Sequence, residues 1–138
     1  MSYGTLASDI IQSSTTGTPP QFNDGSGTQI GTLCRAWVNF NGANGTIRAS
    51  YNVSSVTRTS TGYYTVTFAN ALTDGNYAPI SWSSGTGSAS PMYTGPFGNY
   101  VSSNTITAPA TTGFTLSAFN STGGSNYDPA YILIAIFR

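Results

Sequence analysis

From Cys34 onward the chain alternates apolar and polar positions in short stretches, and no window of useful length carries the 3.6-residue period of a helix. In RAWVNFN, Ala36, Val38 and Phe40 fall on one face while Arg35, Trp37 and Asn39 fall on the other, the period-2 signature of a half-buried strand. The segment NGANG follows, and its Asn41-Gly42 and Asn44-Gly45 pairs suit the positive φ angles of a tight turn. TIRASYNVSSV is then expected to return as the hairpin partner. The cleanest strand is YYTVTF at 63 to 68, with Tyr64, Val66 and Phe68 set against Tyr63, Thr65 and Thr67. Further strands are expected at NYAPISW (76 to 82), NTITA (104 to 108), FTLSAF (114 to 119) and YILIAIF (131 to 137). Seven or so short strands separated by turn residues predict an all-β fold, an antiparallel β-sandwich or small barrel.

Two regions depart from this rhythm. Residues 1 to 32 are turn-rich with few apolar anchors, so they predict an extended arm ahead of a single sandwich domain over 33 to 138. In YILIAIF both faces are apolar, so both need cover, whereas a strand of a lone sandwich is covered on one face only. Either a loop or a neighbouring copy supplies the second cover. The neighbour is favoured, with Tyr131, Ile132, Leu133, Ile134, Ile136 and Phe137 as its expected contact.

Composition explains the preference. Only 6% of the 138 residues are charged, four Arg against four Asp, with no His, Lys or Glu. The usual share is about 25%. Hydrophobic residues at 38% and aromatics at 13% are enough for a folded core, so low charge does not here signal disorder. A net charge of zero removes self-repulsion and favours association. The single Cys34 cannot form an intrachain disulfide and reads as a small buried strand residue. MSYGTLASD has neither a basic start nor an apolar run, and AYILIAIF is far shorter than the ~20 residues a bilayer needs, so a soluble, cytoplasmically made protein without membrane insertion is expected.

Candidate chemistry is sparse. Without His, Lys or Glu, proton transfer would fall to Asp, Cys or Tyr. Asp24 and Asp74 each precede Gly in turn contexts, NDGSG and TDGNY, and Asp128 precedes Pro129, so all three read as turn residues. A carboxylate pair of the glycosidase kind is the minor alternative. NDGSG offers oxygens to calcium but lacks the acidic spacing and closing Glu of a calcium loop, so neither metal nor cofactor is expected. Four scattered Arg cannot form the basic stripe that nucleic acid requires. The Asn-x-Ser/Thr triplets at Asn44, Asn52 and Asn120 are what chance supplies in a Ser/Thr-rich chain.

Binding is the live possibility. Residues 82 to 104, WSSGTGSASPMYTGPFGNYVSSN, mix Trp82, Tyr93, Phe97 and Tyr100 with Ser, Gly and Asn, the composition of recognition loops. Aromatic faces of this kind stack on sugar rings while Asn and Ser bond the hydroxyls. The competing reading is a long surface segment whose aromatics tuck into the core.

CRAWVNFNG, then TIRASYNVSSV, TGYYTVTF and NALTDGNYA, taken in order over about residues 28 to 82, resemble a domain recurrent in bacteriophage tail-fibre and virion structural proteins, notably of phages of marine bacteria. The lead-in TPPQFNDGSGTQIGTL is similar to that of such domains. The resemblance implies a jelly-roll-like sandwich assembled as a homotrimer, a non-enzymatic protein on the outside of the virion, partnered by itself, by other tail or capsid proteins, and by host-surface polysaccharide. No long shaft, heptad stretch or docking domain precedes the resembling segment, so a fibre tip or accessory adhesin is expected. The alternative is a capsid decoration protein whose 1 to 32 arm clamps the shell.

Overall fold

A computed structural model describes residues 7–8, 10–14, 20–85, 92–96, 108–120 and 125–138, with the backbone alone for 92–96 and 120. The chain divides into two compact units, Met1–Leu33 and Cys34–Arg138. In the first, β1 (Phe22–Asn23) and β2 (Gln29–Gly31) form an antiparallel hairpin. Asp24 caps its turn by accepting from the backbone N–H groups of Ser26 and Thr28, each at 2.9 Å, as its place before Gly25 suggested.

The second unit is an all-β sandwich whose strand pairs are all antiparallel. One sheet has the order β4-β3-β10-β7, from β3 (Cys34–Phe40), β4 (Ile47–Tyr51), β7 (Ala78–Ser83) and β10 (Ile132–Phe137). The other has the order β5-β6-β9-β8, from β5 (Val53–Ser60), β6 (Tyr63–Phe68), β8 (Met92–Pro96) and β9 (Gly113–Asn120). The alternation read from the sequence sets the inner faces. Ala36, Val38 and Phe40 join Ile132, Ile134 and Ile136 from one sheet against Tyr64, Val66, Phe68, Phe114, Leu116 and Ala118 from the other, with Leu72 and Tyr77 closing one end. Phe68, Tyr77 and Phe114 form a ring cluster with centroids 5.7 to 6.2 Å apart. Burial pushes the Tyr77 hydroxyl up to about 12.

The β3–β4 turn uses both Asn-Gly pairs, although differently. Asn41 and Asn44 each accept a backbone N–H two residues on, from Ala43 and Thr46, and only Gly45 of the two glycines takes a positive φ, 75°. Gly42 is required for a different reason: a Cβ there would collide with the Pro129 carbonyl, to which the Gly42 N–H donates at 2.9 Å. Cys34 opens β3 half-buried.

Three expectations are revised. TIRASYNVSSV is not one strand. It breaks at Asn52, which adopts φ 54°, and the chain passes there from one sheet to the other: Tyr51 pairs with Trp37 on β3, Val53 with Phe68 on β6. Asn tolerates that backbone, and its amide secures the corner by donating to the Arg35 and Asn70 carbonyls and accepting from the Asn70 N–H at 2.8 Å. Asn52→Val is therefore expected to lower stability by about 2–3 kcal/mol, from strain and lost bonds. Asn52→Gly, which keeps the bend but not the bonds, should lose less, and equal urea midpoints for the two variants would show that the backbone angle is not what selects Asn.

The second revision concerns 82 to 104. Trp82 lies within β7, paired with Leu133, and Met92–Pro96 form an edge strand on β9, so part of the expected loop is sheet. The third concerns YILIAIF. Its inward set, Ile132, Ile134 and Ile136, is covered within the chain by the opposite sheet, leaving Leu133, Ala135 and Phe137 on the outward face. NTITA lies outside the described residues.

Candidate functional site

The outward face of the β4-β3-β10-β7 sheet is the most unusual surface among the described residues. Register fixes its rows. Tyr51, Trp37, Ala135 and Ile80 lie side by side across the four strands, and Ala49, Asn39, Leu133 and Trp82 form the next row. A sheet face turned to water ordinarily carries polar side chains. Here Trp37 and Leu133 are each 39% exposed, Tyr51 58%, Trp82 59% and Ile80 63%. Neither row contains any of the chain's four Arg or four Asp. Both tryptophans of the protein are on it. The Asn39 Oδ1 is covered yet has no hydrogen-bond partner among the described residues.

Arg48 closes one border. It sits in the bulge of β4, where Asn39 pairs with Ala49 and Phe40 with Ile47, and its guanidinium lies 4.1 Å from the centre of the Tyr131 ring while donating to the Ala130 carbonyl at 2.8 Å. The charge is thus held against an aromatic at the rim.

The described aspartates, Asp24, Asp74 and Asp128, are each engaged in hydrogen bonds. Asp128 is the centre of a polar cluster, not a turn cap: it accepts from Arg58 Nε and Nη2, the latter at 2.7 Å, from the Gly62 N–H at 2.8 Å and from the Tyr64 hydroxyl at 2.8 Å. Partners 64 to 70 residues away are invisible to local pattern. Desolvation pushes its carboxyl up, but the bonds from Arg58, Gly62 and Tyr64 outweigh that and hold it below the ordinary value. Burial, and then the Asp128 contact, pushes the Tyr64 hydroxyl well up. Asp74 caps its turn through the Asn76 N–H and also receives Arg138 Nε at 3.0 Å, and the Arg138 bond above all lowers its carboxyl to about 2. The Ser26 hydroxyl, followed by backbone N–H groups, lowers Asp24. Among the described residues, no three or more His, Cys, Asp or Glu are grouped as metal ligands would be.

Of the residues singled out for recognition, Trp82 is exposed on this face, while the Tyr93 side chain and the whole of Phe97 and Tyr100 lie outside the described residues. Of those singled out for subunit contact, Tyr131 and Leu133 are exposed, Phe137 is half-buried, and the three isoleucines are core. Trp37, Tyr51 and Ile80 were not singled out as binding residues. Alternation already put Trp37 on the outward face, but which strands bring Tyr51 and Ile80 beside it depends on sheet order.

No protein-family profile and no curated protein matches the chain. Among solved structures, the chain is similar to the tailspike of phage phiAB6, determined in complex with three-repeated oligosaccharides of Acinetobacter baumannii surface polysaccharide. The identity is 20% and the TM-score 0.48, and the likeness covers 96% of this chain and 30% of the tailspike.

Proposed function

We propose that this chain is a non-catalytic structural module of a bacteriophage tail, of the adhesin kind, carried on the virion as a homotrimer and directed at the host surface. The observation that carries the reading is the exposed aromatic face, whose two rows hold no charged residue, on a sandwich whose two described aspartates, Asp74 and Asp128, are both committed to structural bonds. A protein that works by moving protons keeps an acid or base available to a substrate. The ordered resemblance over residues 28 to 82 supports the tail, and zero net charge supports self-association.

Immunogold labelling of the phage that encodes the chain tests the location, and gold at the tail is expected. Gold over the capsid would replace this reading with capsid decoration. Light scattering behind a sizing column tests the copy number, with about three chain masses expected. A stable monomer at micromolar concentration would remove the trimer.

A further inference from the structure

We propose that the outward face of the β4-β3-β10-β7 sheet binds a neutral polysaccharide, with Trp37 and Trp82 stacking on sugar rings and Asn39 bonding a hydroxyl between them. The inference rests on the adhesin reading and names the site and the ligand class that reading leaves open. It differs from the loop hypothesis in using strand residues fixed by register.

Three observations select the occupant. The first is charge: neither row holds an Arg or Asp, Arg35 lies beyond them along β3, and the Arg48 guanidinium at the rim is engaged by the Tyr131 ring and the Ala130 carbonyl, so an acidic ligand seated on the two rows would find no counter-charge within them, while a neutral ligand would meet no desolvated charge there. The second is area. Four strands about 4.8 Å apart and about six residues of rise give a face of roughly 400 Å². A stable protein contact takes about 800 Å² per partner, so a second copy is poorly matched to this face, whereas a short run of sugar rings fits it. The trimer contact then lies elsewhere on the chain.

The third is chemistry. A sugar ring presents C–H groups on its faces and hydroxyls at its edge, so it seeks flat aromatics with polar groups beside them. Trp37 and Trp82 are two strands apart and one row displaced, about 12 Å between backbones, which separates their stacking positions along an extended glycan. Asn39 stands in the row of Trp82 and two residues along the strand from Trp37. Its Oδ1 bonds nothing among the described residues, so a turn of the amide toward a hydroxyl breaks no bond seen there to that oxygen.

Because both tryptophans of the chain sit on this face, tryptophan emission reports on it alone. The full chain would be run in native gels cast with dextran, mannan, galactan or xylan, with alginate as the acidic control, and titrated with the same polymers while emission and iodide quenching are followed. Retardation by at least one neutral polymer is expected, together with a shift of emission to shorter wavelength, reduced quenching, and no response to alginate. Trp37→Ala and Trp82→Ala should each weaken retardation at least tenfold with the copy number unchanged, and Trp37→Phe, which keeps an aromatic face and guards against a folding defect in Trp37→Ala, should restore most of it.

Failure of all four neutral polymers to retard the protein would overturn the inference, as would equal retardation by alginate. Emission already short in wavelength and shielded from iodide without saccharide would mean that protein covers the face, and would overturn it too. Gold at the tail without retardation sinks this inference and spares the adhesin reading. Retardation by a capsid-located protein does the reverse.

Discussion

Asp128→Ala is expected to lower the unfolding free energy by about 3 kcal/mol, read as a reduced urea midpoint with an unchanged slope. The carboxylate receives Arg58, the Gly62 N–H and the Tyr64 hydroxyl at once. Its removal leaves the hydroxyl of a fully buried tyrosine without this acceptor, an expensive state because the group has given up water. Arg58, at 30% side-chain exposure, can turn back to solvent and recover its hydration. Asp128→Asn should cost less, since it keeps an acceptor. A midpoint unchanged in Asp128→Ala would mean that the cluster contributes nothing net.

Together with Asp74 and Tyr77, this cluster sets the pH limits of stability. Asp128 and Asp74 have carboxyls held below their ordinary value in the folded state, the latter at about 2. Their stabilisation is fully present above the unfolded carboxylate value near 3.9 and is lost as pH falls through the folded values. Tyr64 and Tyr77 have raised values, so their contribution is fully present below about 10 and is lost as pH rises beyond it. With no His in the chain, melting temperature is expected to be flat from about pH 5 to 7 and to fall on either side below 4 and above 10. A slope between pH 5 and 7 would contradict this account.

Phe40→Ala is expected to cost about 4 kcal/mol, the range for emptying a fully buried aromatic site. Phe40 meets Tyr64 edge-on at 5.2 Å and 67°, and Tyr64 carries the hydroxyl that reaches Asp128. The core and the polar cluster therefore share a side chain. Phe40→Ala combined with Asp128→Ala should lose about 1 kcal/mol less than the two losses added, because either change alone already loosens Tyr64. Strict additivity in urea melts would show that Tyr64 is held independently by each neighbour.

Legibility in the sequence followed the range of the interactions. The period-2 pattern depends on neighbours two residues apart, so the inward faces of β3 and β6 could be read directly, as could the strands at 114 to 119 and 131 to 137. Asn52 was passed over because the corner depends on Arg35 and Asn70, which local pattern does not connect to it. Asp128 was read as a turn residue from Pro129 beside it, while its true partners come from the β5–β6 turn region. The aromatic face was half legible. Alternation sets Trp37 outward, whereas Trp82 falls at once at the end of the expected strand NYAPISW and at the start of the 82 to 104 segment, and only the pairing of β7 through Ser83, opposite Ile132, settles it as a strand residue.

The sandwich begins with β3 and ends with β10, and these two are hydrogen-bonded neighbours from Phe40–Ile132 to Cys34–Phe137. A ribosome delivers them about a hundred residues apart in time. Until β10 emerges, one side of β3 and the inner side of β7 have no neighbour, and the apolar inner faces of the opposite sheet stay uncovered. The nascent chain therefore holds open strand edges until β10 is made, and through that interval sticky contacts between chains compete with closure. A chaperone that shields the open edge of β3 through that interval would therefore raise the yield of folded protein.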